Sequence, residues 1–343
     1  MTDASSPPRT LSGFGYHFND AGELRNIKTG RPFEFNISNN PARNQEHYEA
    51  VGDAVAAYIE EQLVETLGLL RKIVPVDATP NEPTSKIFMS PNALTAAGKL
   101  LVLIPGINIR VGQWARKIVM NDNINKGSVF DYVRQGQSEG YEIMVLNNNE
   151  NIGRALPGTK RRPIRGSESP ERHVEYVFDS LIKGARAAQI FVVAHSFGGH
   201  CIARLVSSHQ GANNIRARIS AIAFTDSVHS LRSFESHSPD FSRWFQSHAR
   251  NWVRSSRPLD TPIAPASLMA QCPCVSAGHE DHGYTTVTAI DSVFEFFAAK
   301  DSTGKRKQEA VASDESDHHN DADNDDRRPA PLSRSGSEKR HKE

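Results

Sequence analysis

A serine stands between an apolar run and a helix-compatible run in the sequence Ala-His-Ser-Phe-Gly-Gly, residues 194–199. In the G-x-S-x-G nucleophile elbow, a strained turn from strand to helix exposes the serine hydroxyl, and small neighbours let the two elements approach closely. Ala194 replaces the first glycine of that pattern, which exchanges one small residue for another. The pattern predicts that Ser196 is an exposed nucleophile; the alternative is that Ser196 only forms a tight turn.

An aspartate and a histidine follow this serine in the chain order that such an elbow requires. A serine hydroxyl is a weak nucleophile until an oriented histidine takes its proton, and a carboxylate holds that histidine in place. Asp226 ends the next apolar run, and His282 follows the last one. We therefore predict a catalytic triad of Ser196, His282 and Asp226, against the alternatives that Asp226 is a turn or helix cap and that His282 is an ordinary surface histidine.

Other residues near the last apolar run can fill the same roles. His279 is the second choice for the histidine, and Glu280 or Asp281 can replace the predicted acid. His195 and His229 belong to other elements, so we interpret them as structural.

The oxyanion of an acyl-transfer intermediate needs two N–H donors. The residue after the nucleophile normally supplies the first, here Phe197, and a loop after an earlier strand supplies the second. The apolar run Lys99–Ile104 ends at Pro105, so Gly106 or Ile107 is the predicted second donor.

The elements that must position these residues are predicted from apolar periodicity. Short unbroken apolar runs predict buried strands at residues 99–104, 141–146, 189–194, 219–225 and 274–277. Between the second and third, Ser169 and Pro170 begin a predicted helix. Alternating strands and helices predict a mostly parallel central sheet flanked by helices, with ligand chemistry at the carboxyl ends of the strands.

The flanking segments predict a single domain. A turn at residues 19–22 predicts a small N-terminal hairpin, and apolar residues at helical spacing predict an amphipathic helix over about residues 44–70. Composition predicts a disordered N-terminus over residues 1–11, one folded domain over residues 12–300 and a disordered charged tail over residues 301–343.

Composition also bounds the functional classes. The chain of 343 residues has 40 basic and 40 acidic side chains, which gives no reason to expect a nucleic-acid or membrane surface. Three cysteines, without a signal-peptide core, indicate the nucleus or cytoplasm, and no apolar run is long enough to span a membrane.

The basic loop over residues 158–166 is interpreted as an exposed insertion. The cysteine and histidine spacing matches no zinc motif, so we expect no metal and no cofactor.

Several segments together are similar to one known family. They are residues 22–25, 75–79, 112–116, 193–196, 225–229 and 275–278. In this combination they resemble the Argonaute-binding Arb-two domain family, which includes animal cotranscriptional regulator proteins, from about residue 13 to residue 297. The resemblance implies an α/β-hydrolase-like fold, with the family's predicted nucleophile at Ser196 and its histidine at His282.

The resemblance leaves two functions from different classes open. It implies an adaptor that binds Argonaute, chromatin-associated or spliceosome-associated proteins in small-RNA silencing, heterochromatin or splicing, in the nucleus and cytoplasm. The alternative is an active serine esterase or acyl hydrolase that acts on a small acyl substrate through Ser196, His282 and Asp226.

Overall fold

The computed structural model of the chain describes residues 10–208, 215–230, 238–264 and 272–301. Most of the predicted N-terminal segment (1–11) and nearly all of the predicted tail (301–343) lie outside these ranges, so both remain predictions.

A large mixed sheet forms the centre of the described residues. Its strands lie in the order β12-β13-β11-β10-β9-β5-β6-β4-β3, and the neighbouring pairs from β13 to β6 are parallel. Strands β3, β4 and β12 pair antiparallel at its two edges. In chain order the strands are β1 Tyr16–Phe18, β2 Leu24–Asn26, β3 Leu70–Val74, β4 Ser85–Met89, β5 Lys99–Ile104, β6 Tyr141–Val145, β7 Ile152–Gly153, β8 Arg162–Pro163, β9 Gln189–His195, β10 Ile219–Thr225, β11 Ala249–Val253, β12 Pro262–Ile263 and β13 Cys274–Ser276.

Helices cover both faces of this sheet. In the described ranges they are α1 Pro41–Glu65, α2 Arg116–Asn121, α3 Ile124–Gly127, α4 Phe130–Ser138, α5 Pro170–Val177, α6 Phe197–Ser207, α7 Pro239–His248, α8 Thr285–Thr288 and α9 Ile290–Lys300. A π-helical turn, Phe178–Ile182, extends α5, and short 3-10 helices lie at Ser12–Phe14 and His282–Tyr284. Helices α1, α4 and α9 pack on one face, while α5, α6 and α7 pack on the other.

The central strands are apolar throughout because both of their faces are buried. Along β9, Phe191 and Val193 belong to one apolar core, and Val192 and Ala194 belong to the core on the opposite face. Side chains alternate across a strand, so an unbroken apolar run satisfies both cores at once. The predicted α/β-hydrolase-like fold, with its central sheet flanked by helices and its small hairpin β1–β2, is confirmed.

The sheet order creates a crevice between two strands. Strand β5 has β6 on one side and β9 on the other, so the strands that follow β5 in the chain are added on opposite sides of it and the strand order reverses there. Ligands of open α/β sheets bind at such a switch point, beyond the carboxyl ends of the strands. Gly106 and Ser196 follow the carboxyl ends of β5 and β9 and therefore face each other across this crevice.

No helix in the described ranges has the length and apolar content that crossing a membrane requires.

Candidate active site

Ser196 occupies a sharp turn between strand β9 and helix α6. Its backbone has φ 52° and ψ −121°, a conformation that costs free energy in a residue with a side chain. The two glycines that follow explain how the turn is accommodated. A Cβ at Gly198 would lie 2.6 Å from the carbonyl oxygens of Ile104 and Pro105, and a Cβ at Gly199 would overlap the side chain of Ser227. The local sequence therefore folds as the sharp strand-to-helix turn that the elbow pattern predicts.

Asp226 lies at the carboxyl end of β10 and also has a positive φ, 46°. Its Oδ2 accepts a hydrogen bond from Nδ1 of His282 at 2.6 Å, and its Oδ1 accepts one from the backbone N–H of Arg254 at 3.2 Å. Burial raises the pKa of the Asp226 carboxyl, but the hydrogen bonds from His282 and Arg254 outweigh it, and the pKa falls below its ordinary value. Asp226 is therefore an anion that orients the His282 ring.

His282 has one ring nitrogen bound to Asp226 and lies at the same cavity as Ser196. Because Nδ1 is bound to Asp226, Nε2 is the nitrogen left for proton transfer. His282 and Ser196 line the same cavity, of about 390 Å³. No hydrogen bond joins the two side chains in the described part of the chain, so proton transfer needs a serine rotation or a closer approach when substrate binds.

Two of the three predicted oxyanion donors, Gly106 and Ile107, line the same cavity. Phe197 is the first residue of α6, and the first N–H groups of a helix have no acceptor within it. Gly106 and Ile107 line the cavity, and a Cβ on Gly106 would lie only 3.1 Å from the Ser196 Cβ. Within the described residues, none of the three N–H groups has a hydrogen-bond acceptor. Gly106 and Ile107 thus share the cavity with Ser196, and Phe197 follows that serine directly in the chain.

The alternative site residues make contacts other than a hydrogen bond to His282, although Asp281 lines the same cavity. The ring of His279 stacks on Tyr284 with 4.5 Å between centroids, and its Nδ1 accepts the Asp281 N–H. Asp281 caps the turn at Gly283 and lies 3.9 Å from Lys117. In the described ranges, neither Glu280 nor Asp281 forms a hydrogen bond with the His282 side chain.

Two histidines interpreted as structural have different surroundings. His229 is buried, and its Nδ1 lies 2.8 Å from the Ser227 hydroxyl. His195 lies directly against His282, with its Nδ1–H donating to the Thr225 carbonyl at 2.9 Å. The position of His195 next to Ser196 was visible in the sequence, but its contact with the His282 ring depends on how β9 and the 282–284 turn meet.

The described residues contain no group of three or more His, Cys, Asp or Glu side chains arranged to hold a metal ion. The chemistry that this arrangement supports is nucleophilic catalysis by an activated serine.

Comparison with known proteins identifies the family. The model of the Arb2 domain matches residues 7–259. Cotranscriptional regulator ARB2A of Mus musculus is 36% identical over 340 residues, covering 85% of this chain and 80% of that protein. The ARB2A homolog of Dictyostelium discoideum is 32% identical over 320 residues, covering 84% of this chain and 79% of that protein.

Solved structures resemble the chain more distantly. The histone deacetylase Clr3 is 16% identical with a TM-score of 0.49, covering 80% of this chain and 42% of that one. AbyA5 is 13% identical with a TM-score of 0.42, covering 76% of this chain and 78% of that one. The family match and the ARB2A relatives, by contrast, span most of the sequence. This chain therefore belongs to the Arb2 domain family, the Arb-two family that its six segments resemble.

Proposed function

We propose that this protein is a cotranscriptional regulator whose Arb2 domain carries a working serine acyl-hydrolase site. The observation that carries the hydrolase part is the 2.6 Å hydrogen bond between His282 Nδ1 and Asp226 Oδ2, at a cavity that His282 shares with Ser196. The regulatory part is supported by the names of relatives that are 36% identical over most of the chain.

In the proposed reaction, the Ser196 oxygen attacks the carbonyl carbon of an acyl ester while His282 Nε2 takes the hydroxyl proton. Asp226 stabilises the imidazolium that forms. The N–H groups of Phe197 and of Gly106 or Ile107 stabilise the negative oxygen. The C–O bond to the leaving alcohol then breaks, and His282 returns the proton to that alcohol. Water releases the acyl group from Ser196 by the same route, which yields a carboxylic acid and restores the serine.

The cavity favours a small, uncharged acyl group. Its volume of about 390 Å³ lies near the lower end of the range for small-molecule sites, about 300–1,000 Å³. Ile107, Ile109, Trp114 and Ile118 give it apolar walls. Among the described residues, two basic side chains line it: Arg116 is paired with Glu49 at 2.7 Å, and Lys117 lies 3.9 Å from Asp281. Each therefore has a carboxylate nearby that offsets its charge.

Hydrolysis of p-nitrophenyl acetate and butyrate tests the proposal. We expect turnover by wild type and its loss in Ser196→Ala and His282→Ala. His279→Ala is the matched control, because that histidine lies in the same loop but contacts neither Asp226 nor the cavity. Equal turnover by wild type and a folded Ser196→Ala protein would disprove the serine's role.

A second candidate function is that of an adaptor, and the relatives' designation as cotranscriptional regulators favours it. In this proposal the domain binds Argonaute or chromatin- or spliceosome-associated proteins in the nucleus and cytoplasm, in small-RNA silencing, heterochromatin or splicing. Affinity purification with wild type and Ser196→Ala separates the two candidates. An adaptor should co-purify with its partners in both wild type and the variant. If no Argonaute, chromatin-associated or spliceosome-associated protein co-purifies with wild type, the adaptor function is contradicted.

A further inference from the structure

Two consecutive asparagines, Asn148 and Asn149, bind the backbone of the loop that follows β5. Asn148 Nδ2 donates to the Pro105 carbonyl at 3.2 Å. Asn149 Nδ2 donates to the Gly106 carbonyl at 2.7 Å. They follow the carboxyl end of β6, beside β5 in the sheet, so two successive peptide groups of one loop are each held by one amide side chain.

The second asparagine also fixes the far side of the loop. Asn149 Nδ2 donates to the Ile109 carbonyl at 3.0 Å, and its Oδ1 accepts the N–H of Asn108 at 3.0 Å. Since the carbonyls need a donor and the N–H needs an acceptor, only one orientation of the amide satisfies all these bonds. Asn108 has φ 60°, and this bond holds its strained backbone in place.

The direction of these carbonyls determines where the neighbouring N–H groups point. In a trans peptide the C=O and the N–H point in opposite directions. When the Pro105 carbonyl faces Asn148, the Gly106 N–H faces away from it. When the Gly106 carbonyl faces Asn149, the Ile107 N–H faces away in the same manner. Gly106 and Ile107 line the Ser196 cavity, whereas Asn148 and Asn149 do not.

We propose that Asn148 and Asn149 are positioning residues that aim the Gly106 and Ile107 N–H groups at the oxyanion formed on a substrate of Ser196. This inference rests on the proposed hydrolase function. It explains why fully buried Asn148 keeps a polar side chain although its Oδ1 has no hydrogen-bond partner among the described residues. Its Nδ2 has a specific task at the Pro105 carbonyl, and an apolar side chain would not perform it.

The test compares an asparagine that holds this loop with one that holds a loop elsewhere. Asn149→Asp keeps the oxygen that accepts the Asn108 N–H but removes the donor to the Gly106 carbonyl. Asn44→Asp is the matched control. Asn44 Nδ2 donates to the Ser38 carbonyl at 2.9 Å and its Oδ1 accepts the Ser38 N–H at 2.9 Å, and neither residue lines the Ser196 cavity. Asn148→Leu is a second variant that removes a donor without adding charge.

The first readout is the hydrolysis of p-nitrophenyl butyrate. We expect kcat to fall about 10- to 100-fold in Asn149→Asp and Asn148→Leu, with KM changed less than about threefold. Asn44→Asp should keep the wild-type kcat even if its melting temperature falls. A purely structural role would lower the melting temperature of all three variants and leave kcat of the folded fraction unchanged, and that result would overturn the proposal.

The second readout does not depend on activity. A crystal structure of Asn149→Asp should show the Gly106–Ile107 peptide rotated from its wild-type direction, and an unrotated peptide would overturn the proposal. If wild type proves inert towards esters, the hydrolase function fails, while the direction of this peptide still decides whether the asparagines position the loop.

Discussion

The imidazole ring of His195 lies against that of His282, with 4.5 Å between the ring centroids and 35° between the planes. Burial lowers the pKa of His195 to about 3, so this ring is neutral at physiological pH. Its Nδ1–H donates to the Thr225 carbonyl, which fixes both the tautomer and the ring plane. A neutral ring at this position packs against His282 without adding a positive charge next to it, which suits the role of His282 in the proposed reaction.

Buried histidines predict a loss of stability in mild acid. Burial lowers the pKa values of His173 and His195 from 6.5 to about 3. Between these pH values the unfolded chain binds protons that the folded chain does not, so the free energy of unfolding falls as pH decreases. The slope is up to about 1.4 kcal/mol per pH unit for each histidine.

Urea denaturation between about pH 7 and about pH 4.5 measures this slope. His173→Gln should make it shallower, because one of the two histidines no longer titrates. A free energy of unfolding that stays constant over this range would contradict the assignment of neutral buried histidines.

The proposed role of Asp226 predicts a large loss of activity in Asp226→Asn with little change in folding. An asparagine cannot stabilise the imidazolium of His282, and it favours the wrong ring tautomer, so kcat for ester hydrolysis should fall on the order of 10³- to 10⁴-fold. Asp281→Asn, in the same turn as His282, should retain most activity. Comparable kcat values in wild type and Asp226→Asn would show that the acid lies elsewhere.

The close approach of α6 to the end of β5 predicts that Gly198→Ala destabilises the fold. The added methyl group would meet the carbonyl oxygens of Ile104 and Pro105 at 2.6 Å, and relieving this overlap should cost about 1–3 kcal/mol of unfolding free energy. Gly184→Ala is the control, because the nearest atom to its Cβ lies 3.9 Å away. If both variants have the same urea midpoint as wild type, the inference that the elbow is tightly packed is wrong.

The apolar wall of the cavity predicts a preference for butyrate over acetate esters. Each buried methylene contributes about 0.8 kcal/mol, or about fourfold in kcat/KM. Ile109→Ala shortens this wall and should reduce the butyrate-to-acetate ratio of kcat/KM severalfold. Ile73→Ala, on the edge strand β3, should leave the ratio unchanged; the same ratio in wild type and Ile109→Ala would place the acyl group elsewhere.

Buried strands and the elbow were predictable because both depend on local sequence. The run that forms β9 is apolar on both faces, and the small residues after Ser196 are needed where α6 meets β5. Strands β3 and β11 were not predicted. β3 is largely exposed and β11 mixes arginine, asparagine and tryptophan, so neither forms a continuous apolar run. Helix α1 ends at Glu65, earlier than predicted, and the left-handed Gly68 (φ 68°) separates it from β3.

The positions of the site residues were predictable from chain order, but their support was not. Asp226 and His282 follow strands whose carboxyl ends lie at the same edge of the sheet as that of β9. Because ligand chemistry in such sheets lies at the carboxyl ends of the strands, both residues could be placed near Ser196 from the sequence. The contacts of Asn148, Asn149 and His195 depend on how neighbouring strands and loops meet in space. The polar residues directly after β6 could nevertheless have been predicted to lie near the site, because they too follow the carboxyl end of a parallel strand.

Reaction of the purified chain with a fluorophosphonate probe tests the central claim most directly, with mass spectrometry of the peptides to locate the adduct. The proposed site predicts one adduct on Ser196 in wild type and in His279→Ala, and a greatly reduced yield in His282→Ala and Asp226→Asn. Circular dichroism confirms that each protein is folded. A folded wild-type protein that forms no adduct on Ser196 would contradict the claim that the triad activates this serine.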